Sequence, residues 1–490
     1  MARTGVQGVS ALVWRIAVCA ALGASLAAPA AAQTLQDALI LAYQHNPQIL
    51  SQRAHLRAQD EEVAQAISGW RPTVTVNANV GRQAETRVFG SGGTTAAGAI
   101  VGTSGGGGLN DITDTFTPRA GALVVTQNIY RGGRIEAQIR SSDFLVMVER
   151  ARLGLVETTI LLQSATFYVD VVRDQATLEL NINNEQVLAK QLESTQDRFT
   201  VGEVTRTDVA QAEAALSQAK AQREAAYNQL HISRANYRNI MGEVPGRLID
   251  PGEPDGLPGS REEAVSLAQI QNFNVQIADY VERAAQENVN IQFGGLLPTI
   301  SLQGTLSKTT EQFSRQDDTE LAQILAILSI PIYTGGLVEA QTREAKELVG
   351  QRRLELETAQ LAAIQSATQA WENLQSARAQ EVSFQAAIQA DAVALEGVQQ
   401  EASAGLRTVL DILNAEQLLL TARVSLVSAH HDAIVAAYTV LNASGRLTAR
   451  DRRLPIEYYD PTEHYFEVRD KWSGTGIKNE VKGTPQPNAQ

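Results

Sequence analysis

Histidines and carboxylates are the residues of this chain best suited to chemistry. The six histidines are scattered, and only His430 and His431 are adjacent. Neighbouring side chains on a helix point about 100° apart, so this pair is poorly placed to close on one metal ion. No cysteine follows Cys19, which removes the other common zinc ligand. We therefore predict no metal site and no cofactor, and we expect His430 and His431 to lie on a solvated helix face.

Enzyme motifs are equally scarce. The sequence contains no nucleophile elbow, phosphate loop or zinc-protease helix. A Gly-rich tract at 90–108 lacks the Gly-Lys-Ser/Thr ending of a phosphate loop and is predicted to be an exposed loop. Pairs of acidic residues are plentiful, and they lie on predicted helix faces, where salt bridges and solubility explain them. The sequence therefore predicts a protein that is not an enzyme.

The first 32 residues have the features of a secretory signal peptide. Arg3 and Arg15 are positive, Ile16 to Leu26 are apolar, and Ala30 to Ala32 form a small-residue cleavage site. An apolar stretch of about eleven residues is too short to span a hydrocarbon core of roughly 30 Å. We expect the mature chain to start at Gln33.

The acidic composition and the hydropathy exclude two classes of protein. Loss of the two signal arginines would move the formal charge from −13 to −15, which argues against nucleic acid as a partner. No run of eighteen apolar residues follows residue 33, so no membrane-spanning helix is expected.

The two halves of the chain resemble each other, which predicts an internal duplication. Most matched positions are 203 residues apart, and those upstream of the Gly-Gly pairs are 226 apart. The difference falls where the first half carries its Gly-rich tract. The matches include Gly132-Gly133 with Gly335-Gly336, Gly202 with Gly405, Asp208 with Asp411, Pro72 with Pro298, and Asn46 with Asn272. We predict a signal peptide at 1–32, a first repeat at 33–246, a second at 247–445, and a tail at 446–490.

Each repeat begins with an amphipathic helix, after which Pro72 or Pro298 prevents the helix from continuing. The next residues alternate strictly between apolar and polar, over 73–80 and 299–307. Such alternation predicts a strand and is typical of transmembrane barrels, although a half-buried strand of a soluble sheet gives the same pattern. Return strands are predicted at about 115–130 and 321–333.

Long helices follow each Gly-Gly pair. Apolar residues recur at steps of three, four and seven over roughly 65 residues, which predicts about 100 Å of coiled-coil helix. Gly202 and Gly405 end these helices, and a second helix returns from Asp208 to about Ile240 or from Asp411 to about Leu441. Four strands per chain cannot close a membrane barrel, so two or three chains would have to combine, and physical reasoning alone leaves both numbers open.

Several motifs together resemble the TolC-like outer-membrane factors. They are Pro72-Thr73, Tyr130-x-Gly-Gly, Arg198-Phe199-x-Val201-Gly202 and Gly405-x-Arg407-Thr408-Val409-Leu410-Asp411, within about residues 33–450. The resemblance implies an α+β membrane protein in which a homotrimeric twelve-stranded β-barrel continues into a long periplasmic α-helical coiled-coil barrel. Pro72, Gly132, Gly133, Pro298, Gly335 and Gly336 would form the strand–helix junctions.

The same resemblance implies a function and a location. The chain would be the outer-membrane exit duct of a tripartite efflux pump or a type I secretion system, in a Gram-negative bacterium. Its partners would be outer-membrane lipid, a periplasmic adaptor and an inner-membrane pump of the RND or ABC type. The segment Leu454 to Trp472 resembles members associated with type I secretion.

The resemblance also implies a gate in the second helix–helix turn. Gly405, Arg407 and Asp411 match the family's pattern, whereas Ala402 replaces an aromatic residue and Asn414 replaces a second acid. Three copies of Asp411 would form an acidic ring that selects cations, with Arg407 as an inter-subunit partner. An ordinary helix N-terminal carboxylate is the alternative for Asp411, and the expected role of Asp208.

Adaptor contacts are expected at both turns, at Val201, Gly202, Glu203, Val204, Gly405 and Leu406. Two other classes of protein also carry long coiled coils. A periplasmic adaptor would need a lipoyl-like β-domain, and a coiled-coil surface protein would carry a single C-terminal barrel segment. The split pair of strand hairpins favours the duct over both.

Overall fold

Helices account for most of the chain that the computed structural model describes, namely residues 33–89, 110–312, 316 and 318–477. The predicted signal peptide and the Gly-rich tract lie outside these residues. The elements, in chain order, are α1 Leu35–His45, α2 Pro47–Ser68, β1 Thr73–Val80, β2 Gln83–Phe89, β3 Asn110–Phe116, β4 Arg119–Arg131, α3 Arg134–Thr200, α4 Arg206–Met241, α5 Arg261–Gln271, α6 Phe273–Phe293, β5 Thr299–Thr310, β6 Asp318–Ser329, α7 Leu337–Ser403, α8 Val409–Ala443 and α9 Glu463–Arg469.

The chain divides into two compact units, and each unit draws on both halves of the sequence. The first comprises the chain up to Ala54 with Ala151–Gln276 and Thr358–Tyr459. The second comprises His55–Arg150, Ile277–Glu357 and the chain from Asp460 onward. The second unit contains all the strands, and the first contains the helix-reversal turns.

The predicted long helices are present in both halves. Helices α3 and α7 have 67 residues each, and the returning helices α4 and α8 have 36 and 35. Helices α3 and α8 each contain an eighteen-residue window with a mean hydropathy of 1.3, of which 44% is buried. By length and composition alone these two helices could cross a membrane. The sequence analysis did not expect this, because it required eighteen consecutive apolar residues. Core helices meet the same test, and both contribute to the core of the first unit.

A shared hydrogen bond supports the similarity of the two halves. In the first unit the Asn46 amide donates to the carbonyl of Ile240 at 3.3 Å, and the Asn272 amide donates to that of Ala443 at 3.0 Å. Both asparagines are almost fully buried. Each side-chain oxygen also accepts a backbone N–H two residues on, at 2.9 Å in both halves. The offsets of 226 and 203 residues found in the sequence thus connect residues that make the same contact in the two halves.

Four antiparallel strands of the second unit form one sheet in the order β1-β4-β5-β6. Its register continues the alternation of the sequence across all four strands. One cross-strand row contains Val76, Leu123, Leu306 and Ala322. The next row, on the opposite face, contains Asn77, Ala122, Ser307 and Leu321. One face is therefore apolar in these central rows, and Lys308 and Glu320 begin its polar end one row further along. The opposite face is polar on β1 and β5, with apolar side chains contributed by β4 and β6.

The apolar face of this sheet is uncovered by the rest of the described chain. Val76 is 74% exposed and Ile324 is 77% exposed. A half-buried strand of a water-soluble sheet would pack such side chains against a second layer. The exposed face therefore favours the membrane interpretation that the sequence left open.

Two strands were missed by the sequence analysis. Strands β2 and β3 pair with each other, from Gln83 opposite Phe116 to Phe89 opposite Asn110. Their sequences lack strict alternation, and Thr117 and Pro118 separate β3 from β4 where a single return strand was expected. In the second half, β6 ends at Ser329 and not at Tyr333, because Pro331 has no N–H to donate to a neighbouring strand.

Both Gly-Gly pairs lie between a strand and a long helix, as predicted, with left-handed backbone. The φ angles are 64° and 73° for Gly132 and Gly133, and 69° and 82° for Gly335 and Gly336. Only glycine adopts this conformation without strain. At Gly132 a Cβ would also collide with the carbonyl of Gly294.

Candidate functional site

The two helix-reversal turns have the same backbone geometry. In the first, the N–H groups of Gly202 and Glu203 donate to the carbonyls of Phe199 at 3.0 Å and Arg198 at 2.9 Å. This is the Schellman arrangement, with Gly202 at φ 82°. In the second turn, Gly405 and Leu406 donate to the carbonyls of Ala402 and Glu401 at 3.1 and 2.9 Å, with Gly405 at φ 78°.

Equivalent capping boxes start the returning helices. Thr205 and Thr408 are N-caps, and each hydroxyl accepts the N–H of the aspartate three residues later at 3.3 Å. Oδ2 of Asp208 accepts the N–H of Thr205 at 2.8 Å, and Oδ2 of Asp411 accepts that of Thr408 at 2.9 Å. Both aspartates therefore perform the ordinary helix-capping role within one chain.

The ion pairs at the two turns have their positive and negative partners exchanged between helix and turn. Arg198, at the end of α3, pairs with Glu203 of the turn at 3.1 Å. Its counterpart at the end of α7 is Glu401, which pairs with Arg407 of the turn at 2.8 Å. Arg407 was expected to serve between subunits, and in the single chain it is engaged by Glu401.

Asp411 and Asn414 differ in their surroundings. Asp411 is partly exposed, and Asn414 one helical turn later is exposed. Hydrogen bonds from the backbone N–H and the hydroxyl of Thr408 hold the pKa of Asp411 below its usual value. Its carboxylate is therefore ionised at neutral pH. Ala402, at the position of the family's aromatic residue, is buried.

The residues expected to contact an adaptor fall into two groups. Val201 is 71% exposed and Leu406 is 76% exposed, which is unusual for large apolar side chains. Glu203 is also exposed. Val204 instead packs against a small cluster formed by Leu188, Ala219, Val409 and Leu413. This cluster joins helices of both halves just behind the turns.

Known proteins share this architecture. The family described as outer membrane efflux protein matches residues 38–243 and 264–446. Outer membrane efflux protein BepC of Brucella suis is 35% identical over 446 residues, which cover 91% of this chain and 92% of BepC. Outer membrane protein TolC of Vibrio cholerae is 24% identical, with 89% of this chain and 95% of TolC covered. The Campylobacter jejuni CmeC outer membrane channel matches the fold with a TM-score of 0.71 at 15% identity, covering 89% of each chain.

The chain belongs to the outer membrane efflux protein family. The predicted resemblance to TolC-like proteins is thereby confirmed, as is the location in the outer membrane with a periplasmic extension. Efflux through the outer membrane is the function of this family, and the comparisons do not support the adaptor and surface-protein alternatives.

The prediction of a solvated helix face is wrong for His431, which is buried, and holds only in part for His430, whose side chain is 37% exposed. His430 lies between two carboxylates, with Nδ1 2.9 Å from Oε1 of Glu381 and Nε2 2.9 Å from Oδ2 of Asp250. It thereby links α8 to α7 and to the segment that joins the two halves. The sequence could not reveal these partners, because they lie 49 and 180 residues away.

His431 points to different partners on another side of α8. Its Nε2 lies 2.9 Å from Oδ1 of Asp170 on α3, and its Nδ1 lies 2.8 Å from Oδ1 of Asp432. The two rings thus diverge, as the helical geometry requires. The described part of the chain contains no cluster of three or more His, Cys, Asp or Glu side chains able to hold a metal ion.

The His430 links should make the first unit more stable in mild acid. Burial lowers the pKa of His430, but the hydrogen bond to Glu381 and the charge of Asp250 outweigh it, so the net pKa is raised. A raised pKa gives stability that is complete below about 6.5, the unfolded value, and is lost as the pH rises through the folded value. As the pH rises from about 5.5 to about 8.5, the unfolding temperature of wild type should fall by a few degrees relative to that of His430→Gln.

The matched control is His231→Gln, since the His231 ring packs against Tyr227 at a centroid distance of 4.5 Å. It should follow wild type across the pH range. Identical pH dependence of wild type and His430→Gln would show that the His430 ion pairs contribute nothing.

Proposed function

We propose that three copies of this chain form an efflux duct, with a twelve-stranded barrel in the outer membrane and a helical tube in the periplasm. The observation that carries this proposal is the exposed apolar face of the four-stranded sheet. In water this face would be costly to expose, at about 25 cal/mol per Å² of apolar surface. In the outer membrane it would contact lipid.

The edges of the sheet support a trimer. β1 and β6 end the strand order, so each has one side without a strand partner among the described residues. Unpaired backbone groups in hydrocarbon cost several kcal/mol each, so neighbouring chains must supply the missing pairs. Two chains would give eight strands and a lumen filled by side chains, whereas three give twelve and an open lumen. A trimer is therefore the smallest assembly that could conduct.

An internal duplication would give the single chain a pseudo-symmetry. The matched hydrogen bonds of Asn46 and Asn272 support a duplication with repeats at 33–246 and 247–445, followed by a tail from 446. Three chains would then contribute six similar repeats around one axis. The helical tube would contain the long and returning helices of both repeats.

The partners are proposed from the relatives and from the turns. BepC is named as an efflux protein, which favours a tripartite efflux pump with an inner-membrane component of the RND or ABC type. The exposed Val201 and Leu406, with Gly202, Glu203 and Gly405, are proposed to meet the periplasmic adaptor. Val204 is assigned a supporting role because it packs inside the tip cluster. Type I secretion is the second candidate, favoured by the tail segment Leu454 to Trp472 that resembles such members.

The gate is proposed at the second turn. Asp411 is ionised, and three copies around a narrow axis would attract cations. Asn414 carries no charge, so the ring would have one acid per chain. Arg407 would have to break its ion pair with Glu401 before it could bond to a neighbouring subunit. The ion pair within the chain would therefore compete with the contact that stabilises the closed state.

The first prediction tests the lipid-facing side of β1. Val76→Arg should sharply reduce the heat-modifiable trimer in outer-membrane fractions, because a lipid-facing Arg near the bilayer midplane costs about 2–4 kcal/mol. Asn77→Arg, at the adjacent residue on the opposite face, should assemble nearly as wild type. Equal losses for both variants would contradict the assignment of the two faces.

The second prediction separates the gate from the helix cap. Asp411→Asn should weaken divalent-cation block in single-channel recordings roughly tenfold, equivalent to about 1.4 kcal/mol. Asp208→Asn removes the same charge from the same type of capping box and should leave the block unchanged. Asn414→Asp should strengthen it. A similar response of the two Asp→Asn variants would assign Asp411 to capping alone.

The third prediction tests the docking turn. A Cβ added at Gly405 would have no neighbour within 4 Å, so the position has open space for a larger side chain. Gly405→Trp should abolish export while trimers still assemble. Gly405→Ala has the same backbone penalty of about 1–2 kcal/mol without the bulk and should retain export. Normal export by the Trp variant would exclude a tight contact at this turn.

A further inference from the structure

The C-terminal segment is fixed to the second unit by polar contacts that the sequence analysis did not anticipate. Nδ1 of His464 on α9 lies 3.0 Å from Oδ2 of Asp60 on α2. The Asp60 side chain is 1% exposed, and burial raises its pKa. The hydroxyl of Tyr465 donates to Oδ1 of Asp143 on α3 at 2.8 Å. Val468 of the same helix is buried. These contacts determine where the residues after α9 lie.

The segment after α9 ends beside the start of β1. Nη1 of Arg71 donates to the carbonyl of Lys471 at 2.6 Å, and its guanidinium lies 5.0 Å from the ring centroid of Trp472. Arg71 is two residues before the first residue of β1. The preceding residue, Trp70, is also fixed, because its carbonyl accepts from Nε2 of Gln127 on β4 at 2.5 Å. Trp472 is therefore held at the helix-bearing end of the sheet.

Trp472 is unusually exposed for an aromatic side chain that neighbouring residues hold in position. It is 71% exposed, although its backbone neighbour and one cation hold it in position. Val74, the second residue of β1, is 62% exposed and lies at the start of the apolar part of the sheet. Trp472 thus lies exposed beside the residue pair that leads into β1, at the level where the strands give way to helices.

The chemistry of Trp472 and the residues beside it fits the boundary between lipid and water. Tryptophan is enriched there because its ring is apolar and its indole N–H is polar. Arg71 adds a positive charge next to the ring, and Lys471, the residue before Trp472, adds a second one with Nζ donating to the carbonyl of Gly476 at 2.9 Å. A guanidinium binds phosphate oxygens through paired N–H donors, and one Nη1 contact leaves other donors of Arg71 for such an ion.

We propose that Trp472, Arg71 and Lys471 form a lipid clasp that binds phospholipid headgroups of the periplasmic leaflet. The occupant is a phospholipid, with its phosphate at Arg71 and Lys471 and its glycerol region against the indole ring. The C-terminal segment thereby anchors the helix-bearing end of the sheet at a defined depth. This inference rests on the proposed embedding of the sheet in the outer membrane.

The test uses tryptophan fluorescence of the full-length protein in vesicles with brominated phosphatidylcholine. The chain has four tryptophans, one of them in the predicted signal peptide, so Trp70→Phe with Trp371→Phe leaves Trp472 as the only reporter after residue 32. Bromine near the glycerol end of the acyl chains should quench Trp472 about twofold more than bromine near the terminal methyl groups, as for an interfacial ring. Adding Arg71→Gln should increase quenching by aqueous iodide.

Two further single-tryptophan proteins distinguish a failure of the lipid clasp from a failure of the proposed function. A protein with Val76→Trp as its only tryptophan should be quenched most by deep bromine, whereas one that retains only Trp371, on α7 in the first unit, should not respond to bromine. If the Val76→Trp reporter responds and Trp472 does not, the clasp is wrong and the embedded sheet stands. If neither responds, the proposed function fails with it. A Trp472 shielded from both bromine and iodide would be covered by protein, which also overturns the clasp.

Discussion

The exposed apolar face of the four-stranded sheet is the constraint on which the rest of the structure depends. Val76, Leu123 and Leu306 lie in one row across neighbouring strands, so the apolar surface belongs to the sheet as a whole. A surface of this kind requires lipid or another protein. Once it lies in lipid, the two sheet edges must be paired, and pairing requires further copies of the chain. The long helices then have to leave the membrane at the end of the sheet to which they are joined.

The proposed duplication would explain why similar parts recur in the two halves of the chain. The buried Asn46 and Asn272 make matching contacts, so this packing requirement is shared by both halves. At the turns, the backbone is the same but the charges are reversed. Arg198 precedes an acidic turn, whereas Glu401 precedes a basic one. Equal backbones with opposite charges are expected if the two turns face different surroundings in the assembly.

Much of this fold could be predicted because it is encoded locally. Alternation over 73–80 and 299–307, the glycines at 202 and 405, and the long apolar periodicity each predict one element without reference to a partner. Strands β2 and β3 were missed because their pairing comes from each other and not from an apolar face. The partners of His430 were missed for a related reason, since Asp250 and Glu381 meet it only through tertiary packing.

The proposed gate rests on a sequence motif, to which the structure adds local detail. The motif identified Asp411, and the structure adds that its carboxylate already caps α8 through Oδ2. Both hydrogen bonds of the carboxylate within the described chain involve that oxygen, so Oδ1 would be the atom that meets an ion in the proposed ring. A cap also keeps the carboxylate ionised and holds its rotamer, and these are the two properties that a cation-binding ring needs. The proposed pore role is therefore compatible with helix capping. Asp208 and Asp411 share the same local chemistry, so a difference in function between them would have to come from their places in the proposed trimer.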